Sequence, residues 1–263
     1  MFDFNLILLP LIGFIIGLFV TTLGGGGGGL YVPILIIYGI NPQVAVATSL
    51  ATILPTTAVS AYSHHRMGNV DVHTGLILGI GGIIGTLIGA YTANLIPPDI
   101  LKKALGVLLL IMAIPMIRRV LKERKKRGKP EEPDNKKPVT FTGFRRVIAS
   151  FFGVAGGVLA GIFGLSGTPP VTAGLYSLGL PALMVVGTTI FVLIFNSLAG
   201  IVGYILLGRF DITLTLLLGS GAVFGAFLGP KVILNRIDRM TLEKFIPLIF
   251  ILFSITFGLS LLR

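Results

Sequence analysis

The stretch Gly24-Gly25-Gly26-Gly27-Gly28-Gly29-Leu30-Tyr31-Val32-Pro33 interrupts a tract that carries no charge between Asp3 and His64. Six consecutive glycines suggest first a loop that cradles phosphate. No Gly-Lys-Ser/Thr follows them as in a Walker loop, and no strand precedes them to make a dinucleotide fingerprint. The flanking residues decide the fold instead. Two tracts free of ionisable groups other than tyrosine, Asp3 to His64 and Val147 to Gly208, are each long enough for several bilayer crossings, at about 20 residues per crossing. Neither shows the alternating pattern of barrel strands, so helices are the expected spanning structure. A glycine run at membrane depth must then face protein or a water-filled cavity, because lipid cannot satisfy its backbone N–H and C=O groups.

Composition agrees. Charged residues make up 12% of the chain and mean hydropathy is +0.96, whereas a soluble domain carries about 25% charged residues. The net charge of +11 raises nucleic-acid binding, but twelve of the 21 Lys/Arg residues fall between Arg118 and Arg146. Retention of a short basic loop in the cytoplasm explains that cluster, and no motif that reads DNA or RNA accompanies it, so no nucleic-acid partner is expected. The N-terminus lacks a basic n-region and an A-x-A-like cleavage site, so the first apolar run is expected to be retained. With no cysteine there is no disulfide framework, zinc–thiolate site or redox centre, and no cofactor is expected.

Sliding the chain against itself by 140 residues pairs Gly13, Gly17, Gly24, Gly27, Gly39, Gly68, Gly79, Gly81, Gly85 and Gly89 with glycines, without a gap. Thr48 meets Thr188 and Asp71 meets Asp211 in the same register. The reading is an all-α integral membrane protein of two tandem repeats, 1–121 and 144–263, joined by a basic connector at 122–143 that contains Pro130, Pro133 and Pro138. Each repeat predicts an apolar helix (4–23; 145–163), a Gly/Pro break, a short apolar segment (30–39; 170–178) and three long helices. The long helices are expected at 43–63, 72–96 and 101–121, then at 182–207, 212–234 and 241–262. The segment 30–39 spans only about 15 Å as a helix, half a hydrocarbon core, so it forms a hairpin or a broken pair with the helix before it.

An odd number of crossings per repeat inverts the second copy, and an even number does not. With the basic connector fixed inside, odd parity also brings Arg66, Lys231, Arg236, Arg239 and Lys244 inside, whereas even parity leaves the last four outside. The positive-inside bias favours inversion.

Candidate binding residues are Gly24, Gly25, Gly26, Gly27, Gly28 and Gly29 at the first break, and Ser166, Gly167 and Thr168 at the second. Free backbone N–H groups and half-helix N-termini at such breaks can hold an anion without a buried cation. Thr48, Ser49, Thr188, Thr189 and Asn196 are expected to complete the shell near mid-membrane. Close packing with a hinge is the alternative for the glycines, and bonding to the carbonyl one turn back is the alternative for the hydroxyls. Asn196 is harder to explain that way, since an amide in hydrocarbon normally faces the bundle interior. His64 and His65 beside Arg66 suit an interfacial anchor, and Asp71 and Asp211 suit helix N-caps. Gly81, Gly85, Gly89 and Gly221, Gly225, Gly229 have the spacing of close helix packing. No nucleophile–base pair, metal cluster or carboxylate dyad lies in the apolar runs, so an enzyme lacks its parts.

The Gly-rich break, Tyr31-Val32-Pro33, Asn41-Pro42, Ala47-Thr48-Ser49-Leu50 and the turn Gly68-Asn69-Val70-Asp71 together resemble the TauE/SafE family of sulfite and organosulfur anion exporters, also called the 4-toluene sulfonate uptake permease family. The resemblance covers nearly the whole chain apart from the connector. It implies transport of sulfite, sulfoacetate or related sulfonates across a bacterial or archaeal cytoplasmic membrane by a multi-pass protein. Ser166, Thr168 and Pro169-Pro170 depart from a glycine-rich loop, so the two breaks need not act alike. Partners are then a small anion and the lipid bilayer, with homo-oligomerisation left open. The competing readings are a passive anion channel and a membrane scaffold that recruits partners through the basic loop.

Overall fold

The computed structural model describes residues 8–22, 28–125, 143–165, 167–234 and 239–262. Among them lie ten α-helices: α1 (Leu9–Thr22), α2 (Gly28–Ile37), α3 (Pro42–Arg66), α4 (Val72–Leu95), α5 (Pro98–Lys125), α6 (Gly143–Phe163), α7 (Thr168–Ser177), α8 (Ala182–Leu206), α9 (Ile212–Leu234) and α10 (Arg239–Leu262). No strand occurs among the described residues.

Local chemistry sets the ends of these helices. Asn41 caps α3 by accepting from Gln43 N, with Pro42 at the first helical position. Asp71 caps α4 through Thr74 N, and Asp211 caps α9 through Leu214 N. Gly39, Gly68, Gly179 and Gly208 close α2, α3, α7 and α8 in the left-handed region at φ +82°, +73°, +82° and +65°. In each case the next N–H returns to the carbonyl five residues back, as in Ile40 N to Leu35 O and Leu180 N to Leu175 O. α5 runs to Lys125, beyond the expected end at 121, because Lys122 to Lys125 favour helix and no Gly or Pro intervenes before Gly128.

Helix directions follow from which backbones touch. Cβ atoms built at Gly81, Gly85 and Gly89 of α4 would strike, in that order, Ser150, Val154 and Val158 of α6, so α4 and α6 run parallel in close contact. Gly13 and Gly17 of α1 meet Leu218 and Ala222 of α9 in the same parallel sense. The first helix of each half therefore packs on the fourth of the other, and glycine lets the backbones approach. α3 and α8 cross antiparallel, with Gly187 against His64 and Asn69 while Gly200 lies on Leu50. α5 and α10 are also antiparallel, with Gly106 at Leu261 and Gly258 at Leu110. α6 and α7 form a hairpin in which Gly156 faces Val171 and Gly174 faces Phe152.

The apolar windows of α3 and α8 are 67% and 61% buried against 28% for α5, which places the antiparallel pair at the centre. The outer surface is apolar. On α4 alone Leu76, Ile80, Ile84, Leu87, Ile88, Tyr91 and Leu95 are exposed, a stripe that water would penalise and hydrocarbon accepts. Helices α3, α4, α8 and the Pro98–Arg118 part of α5 are each long and apolar enough to span a bilayer.

Candidate functional site

The second break lies inside the bundle. α6 ends at Phe163, Gly164 turns with φ +66°, and Gly167 opens α7 in the left-handed region at φ +72°. A side chain at Gly167 would be strained, and its Cβ would also strike the Gly156 carbonyl. The same Cβ position is 3.1 Å from Asn196 Nδ2, while a Cβ at Gly82 of α4 would strike Asn196 Oδ1. The Asn196 amide is thus wedged, fully buried, between the middle of α4 and the start of α7. Two missing side chains make the room it occupies.

The first turn of α7 is unusual as an anion-binding end. Gly167 offers no side-chain cap, and Pro169 and Pro170 carry no N–H, so Gly167 and Thr168 hold the remaining backbone donors there. The start of α2, Gly28-Gly29-Leu30-Tyr31, contains no proline. The two ends are neighbours, since a Cβ at Gly29 would rest 3.7 Å from Leu165 Cδ2 and one at Gly164 would rest 2.7 Å from Val32 Cγ2.

The hydroxyls divide into three groups. Ser49 Oγ donates to Gly164 O at 3.2 Å and ties α3 to the break. Thr188 Oγ1 accepts from Asp71 N at 3.0 Å and closes the turn between α3 and α4. Thr56 and Thr57 bond Ile53 O within their own helix. Thr48, Thr52, Thr86, Thr189 and Ser197 are buried with no hydrogen-bond partner on their hydroxyl oxygens. Thr188 and Thr189 lie about 10–12 Å along α8 from Asn196, at 1.5 Å per residue. Thr48 and Ser49 lie toward the opposite end, because α3 runs against α8. Gly167, Thr168 and Asn196 are therefore brought together, whereas the two hydroxyl pairs sit toward opposite ends of the central crossing. Gly24 to Gly27 and Ser166 lie outside the described residues.

Gln43, Thr74, Thr86 and Ser254 are buried polar residues that the sequence reading does not single out. Thr86 follows Gly82 by one turn on the α4 face that meets Gly157, Gly161 and Gly200; its place in the small-residue ridge was the available signal. Gln43 donates Nε2 to Ala93 O at 3.2 Å and Ile96 O at 3.1 Å, binding the start of α3 to the end of α4.

A multi-pass helical bundle with half-length helices broken beside a buried amide has the build of a membrane transporter. A family model described as sulfite exporter TauE/SafE matches residues 9–259. The chain is 32% identical to the probable membrane transporter protein YdhB of Bacillus subtilis over 90% of its length and 94% of that protein's. It is 27% identical to YunE of the same organism over 98% and 97% of the two chains, and 30% identical to MJ0441 of Methanocaldococcus jannaschii over 88% of each; both carry the same description. No solved structure matches. The chain belongs to the TauE/SafE family and is a multi-pass membrane transport protein.

Proposed function

We propose that the chain is a secondary transporter of a small anion, with sulfite, sulfoacetate or another organosulfur anion as substrate class, carried past a midplane break by alternating access. The observation that carries this reading is the junction of Gly167, Thr168 and Asn196, a set of uncharged donors at the start of a half-helix in which Gly167 and Asn196 are buried and Thr168 is half-buried. Such a set can replace the hydration of an oxyanion. Each neutral hydrogen bond contributes about 0.5–1.5 kcal/mol net, so a few give binding weak enough to allow release. Asn196 supplies at the second break the donors that Pro169 and Pro170 remove. The two units, 1–121 and 144–263, act as inverted repeats in this reading. It is supported by the antiparallel crossing of α3 and α8, which the 140-residue offset equates.

Reconstitution tests the proposal. Labelled sulfite should exchange faster when unlabelled sulfite is present on the opposite side of a proteoliposome membrane. Flux that shows no such acceleration indicates a passive channel, and absence of flux for sulfite, thiosulfate, sulfoacetate, taurine and sulfate alike removes the anion reading. Flux retained after the connector charges are deleted would argue against a scaffold.

A further inference from the structure

The two outer crossings of the central helices are filled differently. Between α4 and α8, Phe191 covers Gly75 and Phe195 covers Gly79, with ring carbons 2.6 and 2.7 Å from the respective Cβ positions. At the crossing of α3 with α9, 140 residues away in register, the phenylalanines are replaced by Ala51 and Pro55, and the glycines by Thr215 and Gly219. Among the described residues, a Cβ at Gly219 would find a single atom of the neighbouring helices within 4 Å, Thr52 Oγ1 at 3.9 Å. Two rings are missing, and a hydroxyl oxygen faces the space they would take.

The oxygens around that space are left over from ordinary helix bonding. Thr48 and Thr52 share one face of α3, both are 0% exposed, and neither hydroxyl has a partner. Thr188, the register mate of Thr48, does close on a backbone N–H, that of Asp71. Pro55 has no N–H to offer the Ala51 carbonyl, which lies in the same turn as Thr52. At the outer end of α9 the mate of Thr74 is Leu214. Thr74 engages both carboxylate oxygens of Asp71, whereas Leu214 N engages only Oδ1 of Asp211. Arg209, the cation at that end, turns its guanidinium to Asn94 Oδ1.

Buried polar groups left unpaired cost about 1–3 kcal/mol each, so a ligand that pairs with a cluster of them recovers that cost. Hydroxyl and carbonyl oxygens with a single carboxylate, that of Asp211, farther out along α9 suit a hard cation of low charge. We infer that the crossing of α3 and α9 binds a monovalent cation of sodium's class, through the hydroxyl oxygens of Thr48 and Thr52 and the Ala51 carbonyl. In a transporter of small anions this ion travels with the substrate and balances its charge; that coupling rests on the function proposed above, but the binding does not.

The test uses purified full-length protein in detergent without any anionic substrate beyond chloride. Equilibrium binding of radiolabelled sodium should saturate, and sodium chloride should raise the unfolding temperature above that in choline chloride at equal ionic strength. Thr52→Val and Thr48→Val should each weaken sodium binding roughly tenfold or more, since each removes one ligand to a charged group, while Thr52→Ser should keep it. Absence of saturable sodium binding to the wild-type protein overturns the site, as does unchanged sodium affinity in a folded double Thr48→Val, Thr52→Val variant. Sulfite flux in proteoliposomes with no sodium binding would uphold the anion reading and remove this one. Sodium binding without flux would do the reverse.

Discussion

Adding one methyl group at Gly85 or at Gly219 should move stability in opposite directions. A Cβ at Gly85 would overlap the Val154 carbonyl of α6, a backbone atom held by its own helix, so α4 and α6 must separate. Overpacking of this kind costs about 1–3 kcal/mol, reduced by the roughly 1 kcal/mol that alanine gains over glycine in a helix. Gly219→Ala places its methyl 3.9 Å from the nearest atom that another described helix offers, Thr52 Oγ1, an ordinary contact. It should keep the helix-propensity gain. At about 2–4 °C per kcal/mol for a chain of this size, thermal unfolding in detergent should separate the two variants by several degrees, with Gly219→Ala at or above wild type. Gly225→Ala, whose Cβ would strike the Phe14 carbonyl, should behave like Gly85→Ala. Equal destabilisation by Gly85→Ala and Gly219→Ala would refute the assignment of tight and open crossings.

Asn196→Leu keeps side-chain volume but removes the amide at the second break, and should weaken anion binding about 2- to 12-fold for the loss of one neutral hydrogen bond, read by titration of labelled sulfite uptake. Ser49→Ala strands the Gly164 carbonyl and should cost about 1–3 kcal/mol. Thr86→Val removes a hydroxyl that has no partner and should leave thermal stability unchanged or raised; a drop equal to that of Ser49→Ala would contradict the hydrogen-bond pattern. The turns after α3 and α8 lie at opposite ends of an antiparallel pair, so Met67→Cys should resist an impermeant thiol reagent added outside cells while Gly208→Cys reacts; equal labelling would count against inversion.

Much of the helix framework was readable because its punctuation is local. The Gly68-Asn69-Val70-Asp71 turn contains both a left-handed stop and an N-cap, so 72–96 was placed within one residue of the observed Val72–Leu95. The end of α5 was less accessible, since the apolar run stops before the helix does. Partner choice was not readable at all. The repeat register picks out Gly13 and Gly17 without saying that they pack on α9 in the other half. Hydroxyls were recognisable as candidates, but the depth of Thr188 follows from its bond to Asp71 N, which depends on the crossing. Asn196 was identifiable from the cost of an amide in hydrocarbon, and its neighbours Gly82 and Gly167 became visible only in three dimensions.

The exchange of first helices between halves sets a timetable for the nascent chain. α1 emerges before its partner α9 exists, and at about 5–20 residues per second the ribosome needs some 10–40 s to supply it. Throughout that interval the glycine face of α1 is solvated only by lipid or by an attending insertase. α6 meets α4 already in place, so assembly is fast for one swapped pair and slow for the other. Split between Lys125 and Gly143, the gene should yield two fragments that are each degraded when made alone, because each lacks the surface its first helix requires. Produced together, they should accumulate and restore one another.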